Sequence, residues 1–250
     1  IGPKPQTIHL LGDKAEAKPT AIAAGVPVAL GSDGAVKDYA EAESWATRIG
    51  YPVMLKAAAG GGGKGIRVAY SPEELKSAYD TASSEAQANF GDGRLYIERY
   101  VENPRHIEVQ IMGDTQGHVV HLFERECSIQ RRHQKLLEEA PSCFLDPETR
   151  QKMCTAARNL AQKVGYINAG TVEFLVDRDK NFFFCEMNTR IQVEHPVTEQ
   201  VTGVDLVCEQ IRVASGEPLS FTQDDLILRG HAIECRINAE DPNRDFAPCP

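Results

Sequence analysis

The 250-residue sequence contains no apolar run near the roughly 18 residues that a membrane-spanning helix requires, and no signal-peptide pattern at its start. It also lacks an excess of basic residues, because 27 lysines and arginines stand against 36 aspartates and glutamates. A formal net charge of −9 does not favour binding to phosphate backbones or anionic lipids. We therefore expect no nucleic-acid partner and no membrane partner.

The sequence has no C-x-x-C pair, and its cysteines are odd in number, at positions 127, 143, 154, 185, 208, 235 and 249. This pattern predicts reduced thiols in an intracellular compartment, and neither a disulfide framework nor a zinc site. We expect the cytoplasm, with the mitochondrial matrix as the alternative for a eukaryotic protein. The chain starts without Met and ends at "DFAPCP", and we interpret it as a fragment.

Strand-like runs occur in pairs, such as "TVEFLVD" with "NFFFCEMN". Helix-start signals separate them, at Ser71-Pro72-Glu73-Glu74 and at Asp146-Pro147-Glu148. Hairpins with interspersed helices predict the α+β class. We expect a helical lead-in over residues 1–27, a small lobe over 28–101 and a larger lobe over 102–250.

The run "KAAAGGGGKGIRV" (56–68) lies between two predicted strands. A dinucleotide-binding G-x-G-x-x-G would be followed by a helix, and a P-loop would have Lys-Ser/Thr after Gly65, so both interpretations fail. Protein kinases cover ATP phosphates with a similar loop, but the sequence has no H-R-D or D-F-G. Glycine amides beside Lys56 and Lys64 still suit phosphate binding. A mobile hairpin tip is the alternative.

Two glutamates on neighbouring predicted strands suggest a metal site. Alternation places Glu186 on one face with Phe184 and Asn188. A hairpin loop of two or four residues would put Glu173 on that face as well, and a loop of three or five would separate them. Together these oxygens would suit Mg²⁺, since nearby carboxylates repel unless a cation neutralises them. A solvated sheet face is the alternative.

The segment "RIQVEHP" (190–196) brings several polar residues together. Arg190 is suited to bind a small planar oxyanion, and Glu194 could take a proton from it. His195 precedes a proline, and we expect a structural hydrogen bond from it. The basic run 131–135, taken alone, indicates a solvated surface.

Several long motifs together resemble the biotin carboxylase component of biotin-dependent carboxylases, a family of ATP-grasp enzymes. The matching segments are "GDK" (12–14), "KAAAGGGGKG" (56–65), "ENPRHIEVQI" (102–111), "ERECSIQRRHQK" (124–135), "EMNTRIQVEHPVTE" (186–199) and "HAIECRINAEDP" (231–242). The resemblance implies an ATP-grasp fold, with the glycine loop in the small lobe and an antiparallel sheet in the larger one. "EEAPSCFLDPETR" leans toward acyl-CoA carboxylase subunits over pyruvate carboxylase.

The resemblance also implies the reaction. ATP would phosphorylate bicarbonate to carboxyphosphate, and biotin on a carrier would then be carboxylated. The cofactors implied are ATP, Mg²⁺ or Mn²⁺, and biotin as the carrier-bound substrate. The partners implied are a biotin carboxyl carrier protein or domain, a carboxyltransferase, and a second copy in the full-length homodimer. No A-M-K-M attachment motif is present, so the carrier is expected on another domain or chain.

Alternatives remain for the activity. The chain could be a truncated Mg-nucleotide-binding module without turnover, or the biotin carboxylase domain of a pyruvate carboxylase. Another ATP-grasp ligase is disfavoured by the full "RIQVEHPVTE" run. Relatives carry an additional N-terminal α/β domain and a longer C-terminal domain, both of which we expect to be missing. Pro19 predicts that the helix carrying Lys14 begins later or kinks.

The resemblance carries roles onto individual residues. The nucleotide-binding set would be Lys14, Lys56, Gly62, Gly63, Glu98, Val101, His106, Gln130 and His133. The metal-binding set would be Glu173, Glu186 and Asn188. The bicarbonate-binding set would be Lys135, Arg190, Gln192 and the Val193 amide. Among the catalytic residues, which include Lys135 and Arg190, Glu194 would be the base and Arg236 would stabilise the biotin enolate.

Overall fold

The computed structural model describes residues 1–58, 65–131 and 134–249, with the backbone alone at residues 14 and 15. Its helices are α1 (Pro5–Gly12), α2 (Lys14–Ala23), α3 (Tyr39–Ile49), α4 (Pro72–Phe90), α5 (Pro147–Lys163), α6 (His195–Thr202) and α7 (Leu206–Ala214). Its strands are β1 (Val53–Ala57), β2 (Ile66–Ala69), β3 (Leu95–Arg99), β4 (Arg105–Gly113), β5 (Val119–Arg131), β6 (Gln134–Ala140), β7 (Asn168–Val176), β8 (Phe182–Asn188), β9 (Ala232–Cys235), β10 (Glu240–Asp241) and β11 (Ala247–Pro248). Short 3-10 helices cover Gln223–Asp225 and Pro242–Arg244.

The smaller sheet has the antiparallel order β2-β1-β3 and packs against α3 and α4 around an apolar cluster. The predicted start of α4 at Ser71-Pro72 is confirmed, and α3 has clear start and end signals of its own. The Asp38 carboxylate accepts a hydrogen bond from the Glu41 amide at the start of α3, and Gly50 ends it with φ of 82°, a conformation that favours glycine. Helix α4 begins with Pro72 at its first position.

The larger sheet is antiparallel, with strand order β8-β7-β4-β5-β6-β9. Side chains alternate along β4, so Ile107, Val109 and Ile111 join the main apolar cluster with α5. Glu108 and Gln110 lie on the opposite face and are also fully buried. One face of this sheet therefore carries buried polar side chains. The prediction of an α+β fold is confirmed.

The β7–β8 hairpin has a loop with an odd number of residues, yet it aligns the two glutamates. Val176 pairs with Phe182, so the loop consists of the five residues 177–181, a length predicted to separate the two glutamates. A register shift follows Phe174↔Phe184, and Glu173 pairs with Glu186. Cys185 is therefore an extra residue, a β-bulge that restores the alignment. The expectation that Phe184 shares a face with Glu186 is wrong, because the bulge leaves Phe184 in the apolar cluster.

The N-terminal helices pack on the larger sheet through buried Leu11, Ala17 and Ala21. Of the two expectations for the helix carrying Lys14, a later start is wrong, since α2 begins at Lys14 and continues through Pro19. A kink at Pro19 stays a prediction. Proline removes one backbone donor, the partner of the residue-15 carbonyl in the first turn. The lobe divisions at residues 28 and 102 stay predictions. Within the described ranges, no helix is both long and apolar enough to cross a membrane.

Candidate active site

Arg125 of β5 organises the polar face of the larger sheet. Its side chain is completely buried, and all five of its N–H donors have acceptors, which is the full capacity of a guanidinium. The acceptors are Glu108 Oε1 at 2.7 Å, Gln110 Oε1 at 2.7 Å, Thr198 Oγ1 at 2.9 Å, Thr171 Oγ1 at 3.2 Å and Gln192 Oε1 at 3.2 Å. One cation thereby joins β4, β7, α6 and the segment before α6.

Lys135 of β6 lies at the centre of the site. Its ammonium donates to Glu108 Oε2 at 2.5 Å, to Glu194 Oε1 at 2.6 Å and to Glu173 Oε1 at 3.0 Å. Burial alone would lower the pKa of Lys135, but these carboxylates outweigh it and raise the pKa above its ordinary value. Lys135 is thus a permanently charged group with three carboxylate neighbours.

Glu194 is buried at the N-terminal end of α6 and lies between two cations. Its Oε1 accepts from Lys135, and its Oε2 accepts from Arg236 Nη2 at 2.8 Å. Arg236 also donates through Nε to Glu138 Oε1 at 2.7 Å. The structure therefore brings together the predicted base, the predicted enolate-stabilising arginine and Lys135.

Glu173 is the second buried carboxylate of the site. His106 Nε2 lies 2.7 Å from its Oε2, while Asn188 Nδ2 and Gln192 Nε2 donate to Oε1 at 2.8 and 3.0 Å. Burial raises the pKa of Glu173, but the hydrogen bond with His106 and the charge of Lys135 outweigh it and lower the pKa to about 2. Glu173 is therefore an anion at neutral pH.

The predicted metal-binding residues fit a hard cation. Glu173 lies directly opposite Glu186 in the β7–β8 pair. Asn188 lies opposite Thr171, two residues further along each strand and therefore on the same face. Carboxylate and amide oxygens are the donors that Mg²⁺ takes, and Glu173 is already ionised. Donor atoms of His106, Glu108 and Glu173 also lie within 4.8 Å of one another.

The nucleotide-binding predictions are divided between the two sheets, with Lys56 and Glu98 on the smaller sheet and His106 and Gln130 on the larger one. Lys56 of β1 forms an ion pair with Glu98 of β3, and Lys18 Nζ lies 3.6 Å from the same carboxylate. Burial lowers the pKa of Lys56, but Glu98 outweighs it, so the pKa is raised. Val101 is half-buried just after β3, and the Gln130 amide donates to the Cys127 carbonyl at 2.8 Å. Gly62, Gly63 and His133 lie outside the described residues, as does the Lys14 side chain.

The predicted bicarbonate-binding residues divide into two groups. Lys135 and Gln192 both contact Glu173 inside the network. Arg190 is exposed, and its Nη2 donates to Asn188 Oδ1 at 3.2 Å, which links it to the network. Val193 is 62% exposed. His195 makes the expected structural hydrogen bond, with Nδ1 2.8 Å from the Gln192 carbonyl.

Sequence reasoning missed Glu108, Arg125, Glu138 and Lys18. A signal for Arg125 was available, because "FEREC" places charges in the middle of a long strand that pairs on both sides. Buried charges require partners, and that requirement predicts a polar network on one face. Gly31 was also missed. Its backbone lies so close to β3 that a Cβ at this position would be 2.7 Å from the Ile97 carbonyl oxygen and 2.9 Å from Glu98 Cβ.

Comparison with known proteins identifies the family. The family model described as "Carbamoyl-phosphate synthase L chain, ATP binding domain" matches residues 13–222. The chain belongs to this family. It is 60% identical over 250 residues to the biotin carboxylase of a Nostoc species, and 57% identical over 246 residues to the human propionyl-CoA carboxylase alpha chain.

Solved structures agree with this family. The dimer of the biotin carboxylase domain of Hydrogenobacter thermophilus 2-oxoglutarate carboxylase, in complex with MgADP, ADP and bicarbonate, matches with a TM-score of 0.89 at 55% identity, over 99% of this chain and 55% of that one. A biotin carboxylase complex with beta-gamma-ATP from Campylobacter jejuni matches with a TM-score of 0.90 at 52% identity, over 99% and 55%. The predicted ATP-grasp fold is confirmed.

The chain covers only part of its relatives' length. It spans 56% of the Nostoc biotin carboxylase and 34% of the human propionyl-CoA carboxylase alpha chain. The activity, substrates and partners of the whole protein are therefore proposals.

Proposed function

We propose that the chain carries the active site of a biotin carboxylase, which uses ATP and bicarbonate to carboxylate biotin on a carrier protein through carboxyphosphate. The observation that carries this proposal is the position of Glu194, whose carboxylate lies between the Lys135 ammonium and the Arg236 guanidinium. A base flanked by two cations suits a reaction that deprotonates one small anion and then generates another.

Each residue has a role in this proposal. Bicarbonate would bind at Lys135, Gln192, Arg190 and the Val193 amide, with its hydroxyl toward Glu194. Glu194 would accept that proton as the bicarbonate oxygen attacks the terminal phosphorus of ATP, while the bond to the leaving group ADP breaks and carboxyphosphate forms. Arg236 would then stabilise the enolate of biotin, since it lies beside the same carboxylate.

The nucleotide would lie between the two sheets. Lys14, Lys56, Gly62 and Gly63 would contact its phosphates. Glu98, Val101, His106, Gln130 and His133 would surround its adenosine. Mg²⁺, or Mn²⁺, would be held by Glu173, Glu186 and Asn188, and when bound it would neutralise phosphate charge.

The partners proposed are a biotin carboxyl carrier protein or domain and a carboxyltransferase, with a homodimer as the full-length form. We also propose a cytoplasmic location, or the mitochondrial matrix in a eukaryote. Similar relatives support the partner proposal, because they include propionyl-CoA carboxylase alpha chains and one of the subunits of a Methanothermobacter pyruvate carboxylase.

The test is ADP release from Mg-ATP by the chain, with and without bicarbonate, with free biotin present in both reactions. The proposal predicts release that depends on bicarbonate. Binding of Mg-nucleotide without bicarbonate-dependent release would contradict it, and would instead support the nucleotide-binding module without turnover. Nucleotide binding is measured separately, so that the two results are distinguished.

A further inference from the structure

Three side chains with metal-binding donors meet at one edge of the larger sheet, apart from the active site. They are Glu139, Cys143 and His231, and one donor atom from each lies within 4.8 Å of the other two. His231 Nε2 is 3.0 Å from Glu139 Oε2. The cluster combines a thiol, an imidazole and a carboxylate, which are the ligand types of zinc sites.

The fold holds these residues in place through their neighbours. Glu139 pairs with Ile233 where β6 meets β9, and His231 directly precedes β9. Cys143 follows Ser142, whose hydroxyl donates to Glu126 Oε2 at 2.5 Å. The segment carrying Cys143 is thus tied to β5, so the cluster does not depend on a free loop.

The cluster is separate from the catalytic network. Successive residues of a strand point to opposite faces, and Glu138 accordingly contacts Arg236 while Glu139 contacts His231. Cys143 and His231 are exposed, so an ion could enter from solvent. The absence of C-x-x-C argues against a zinc site, but the fold joins donors that are distant in sequence.

We propose that Glu139, Cys143 and His231 bind Zn²⁺ with three protein ligands and a water molecule in the fourth position. The 3.0 Å between the nitrogen and the oxygen is close to the edge of roughly 3.3 Å in a tetrahedron with bonds of about 2.0–2.1 Å. The soft sulfur ligand favours Zn²⁺ over Mg²⁺. On binding, the Cys143 thiol releases its proton to solvent, and the neutral imidazole donates its Nε2 lone pair.

Zinc at this cluster would join three parts of the chain. It would tie the end of β6 and the Cys143 segment to the residue before β9. Strand β9 lies at the edge of the sheet and is followed directly by Arg236. A ligand that binds only the folded state raises its stability, so Zn²⁺ should raise the unfolding temperature of the chain.

The first experiment titrates the purified chain with Co²⁺, whose absorption reports thiolate coordination and tetrahedral geometry, and then displaces it with Zn²⁺. We expect one equivalent of Co²⁺ with a thiolate charge-transfer band. Cys143→Ser should abolish the band, and Glu139→Gln and His231→Gln should each weaken affinity by about tenfold or more, as even outer-sphere partners do. Cys208→Ser is the matched control, because Cys208 is also exposed but lies on α7.

A second measurement requires no variant. Alkylation of each cysteine with and without Zn²⁺, quantified by peptide mass spectrometry, should show protection of Cys143 and no protection of Cys208. A charge-transfer band that survives Cys143→Ser would overturn the proposal, as would equal labelling of Cys143 with and without zinc. A band lost only in Cys127→Ser would assign the ion to the active-site cluster of Glu108, Cys127 and Glu194, which also overturns it.

Discussion

The Lys135 ammonium lies 2.6 Å from Oε1 of Glu194, and the Arg236 guanidinium lies 2.8 Å from Oε2 of the same carboxylate. Both oxygens of Glu194 are therefore occupied by cations before any substrate arrives. An incoming bicarbonate must share or replace one of these contacts. Because Lys135 also contacts Glu108 and Glu173, a substrate anion would enter a network whose cations are already paired with carboxylates.

Replacing Glu194 by Gln should remove the proposed base. We expect bicarbonate-dependent ADP release to fall by about 10²-fold or more, the range of a general base, with Mg-nucleotide binding retained. The measurement is ADP release at saturating bicarbonate, together with equilibrium nucleotide binding. Glu148→Gln is the control, since that carboxylate is exposed and forms an ion pair with Lys152 within α5. Turnover equal to that of the unmodified chain would show that Glu194 is not the base.

Replacing Lys135 by Met should destabilise the fold. Glu108, Glu173 and Glu194 would lose their shared cation, and breaking a buried charge pair costs about 3–5 kcal/mol. Urea unfolding at neutral pH measures the change in the free energy of unfolding. Lys152→Met is the matched control, because its ion pair with Glu148 is exposed and such pairs contribute about 0–1 kcal/mol. Equal losses in the two variants would contradict the central position of Lys135.

Replacing Arg125 by Lys preserves the positive charge but removes the planar guanidinium and its arrangement of donors. An ammonium has three donors and the guanidinium has five, so at least two of the present acceptors lose their partner. At about 1–3 kcal/mol for each buried unsatisfied group, we expect a large loss in the free energy of unfolding. Arg131→Lys should cost little, because Arg131 is exposed and pairs with Glu240. An Arg125→Lys chain as stable as the Arg131→Lys chain would show that the hydrogen bonds of the Arg125 guanidinium do not stabilise the fold.

The lowered pKa of Glu173 predicts a dependence of stability on pH. The folded pKa of about 2 lies below the ordinary value of 4.5, so ionised Glu173 stabilises the fold above pH 4.5, and this contribution is lost as pH falls toward 2. The Glu173→Gln variant lacks this stabilising contribution at every pH. Urea unfolding of both chains at pH 7 and pH 3 should show a smaller difference at pH 3. The same difference at both values would mean that the Glu173 pKa is not lowered.

The sequence predicts much of the fold where local chemistry decides it. Helix-start signals with a proline in the first turn locate α4 and α5. Helix α6 is not predicted, because Pro196 reads as the end of a strand, whereas proline also opens helices at their first turn. Strand β6, "QKLLEEA", has little alternation and favours strand only through its pairing with β5 and β9, which is a tertiary effect.

The candidate site was predictable in part. Residue types alone suggest Arg190 as an anion-binding residue and Glu194 as a base, and both roles stay predictions. The two glutamates on β7 and β8 were candidates for a metal pair, but strand parity with a five-residue loop would separate them, and the bulge at Cys185 aligns them. Lys135 and Arg236 entered only through the family resemblance, because nothing local separates them from surface cations. Arg125 depends on acceptors contributed by distant segments, and Gln192 and Thr198 follow it by more than 60 positions in the sequence. Such contacts exist only once the sheet has formed.

The extra residue at Cys185 determines how this hairpin tolerates insertions and deletions. Removing Cys185 would convert the bulge into a regular ladder, with Phe184 still opposite Phe174 and Glu186 still opposite Glu173. Inserting a residue between Cys185 and Glu186 would break the pairing of Glu186 with Glu173, because Glu186 would lie opposite Val172 on the apolar side if the bulge is kept, or opposite Thr171 in a regular ladder. In an alignment of homologous sequences, we therefore expect a one-residue gap at Cys185 to be neutral, and a one-residue insertion beside it to be excluded by selection.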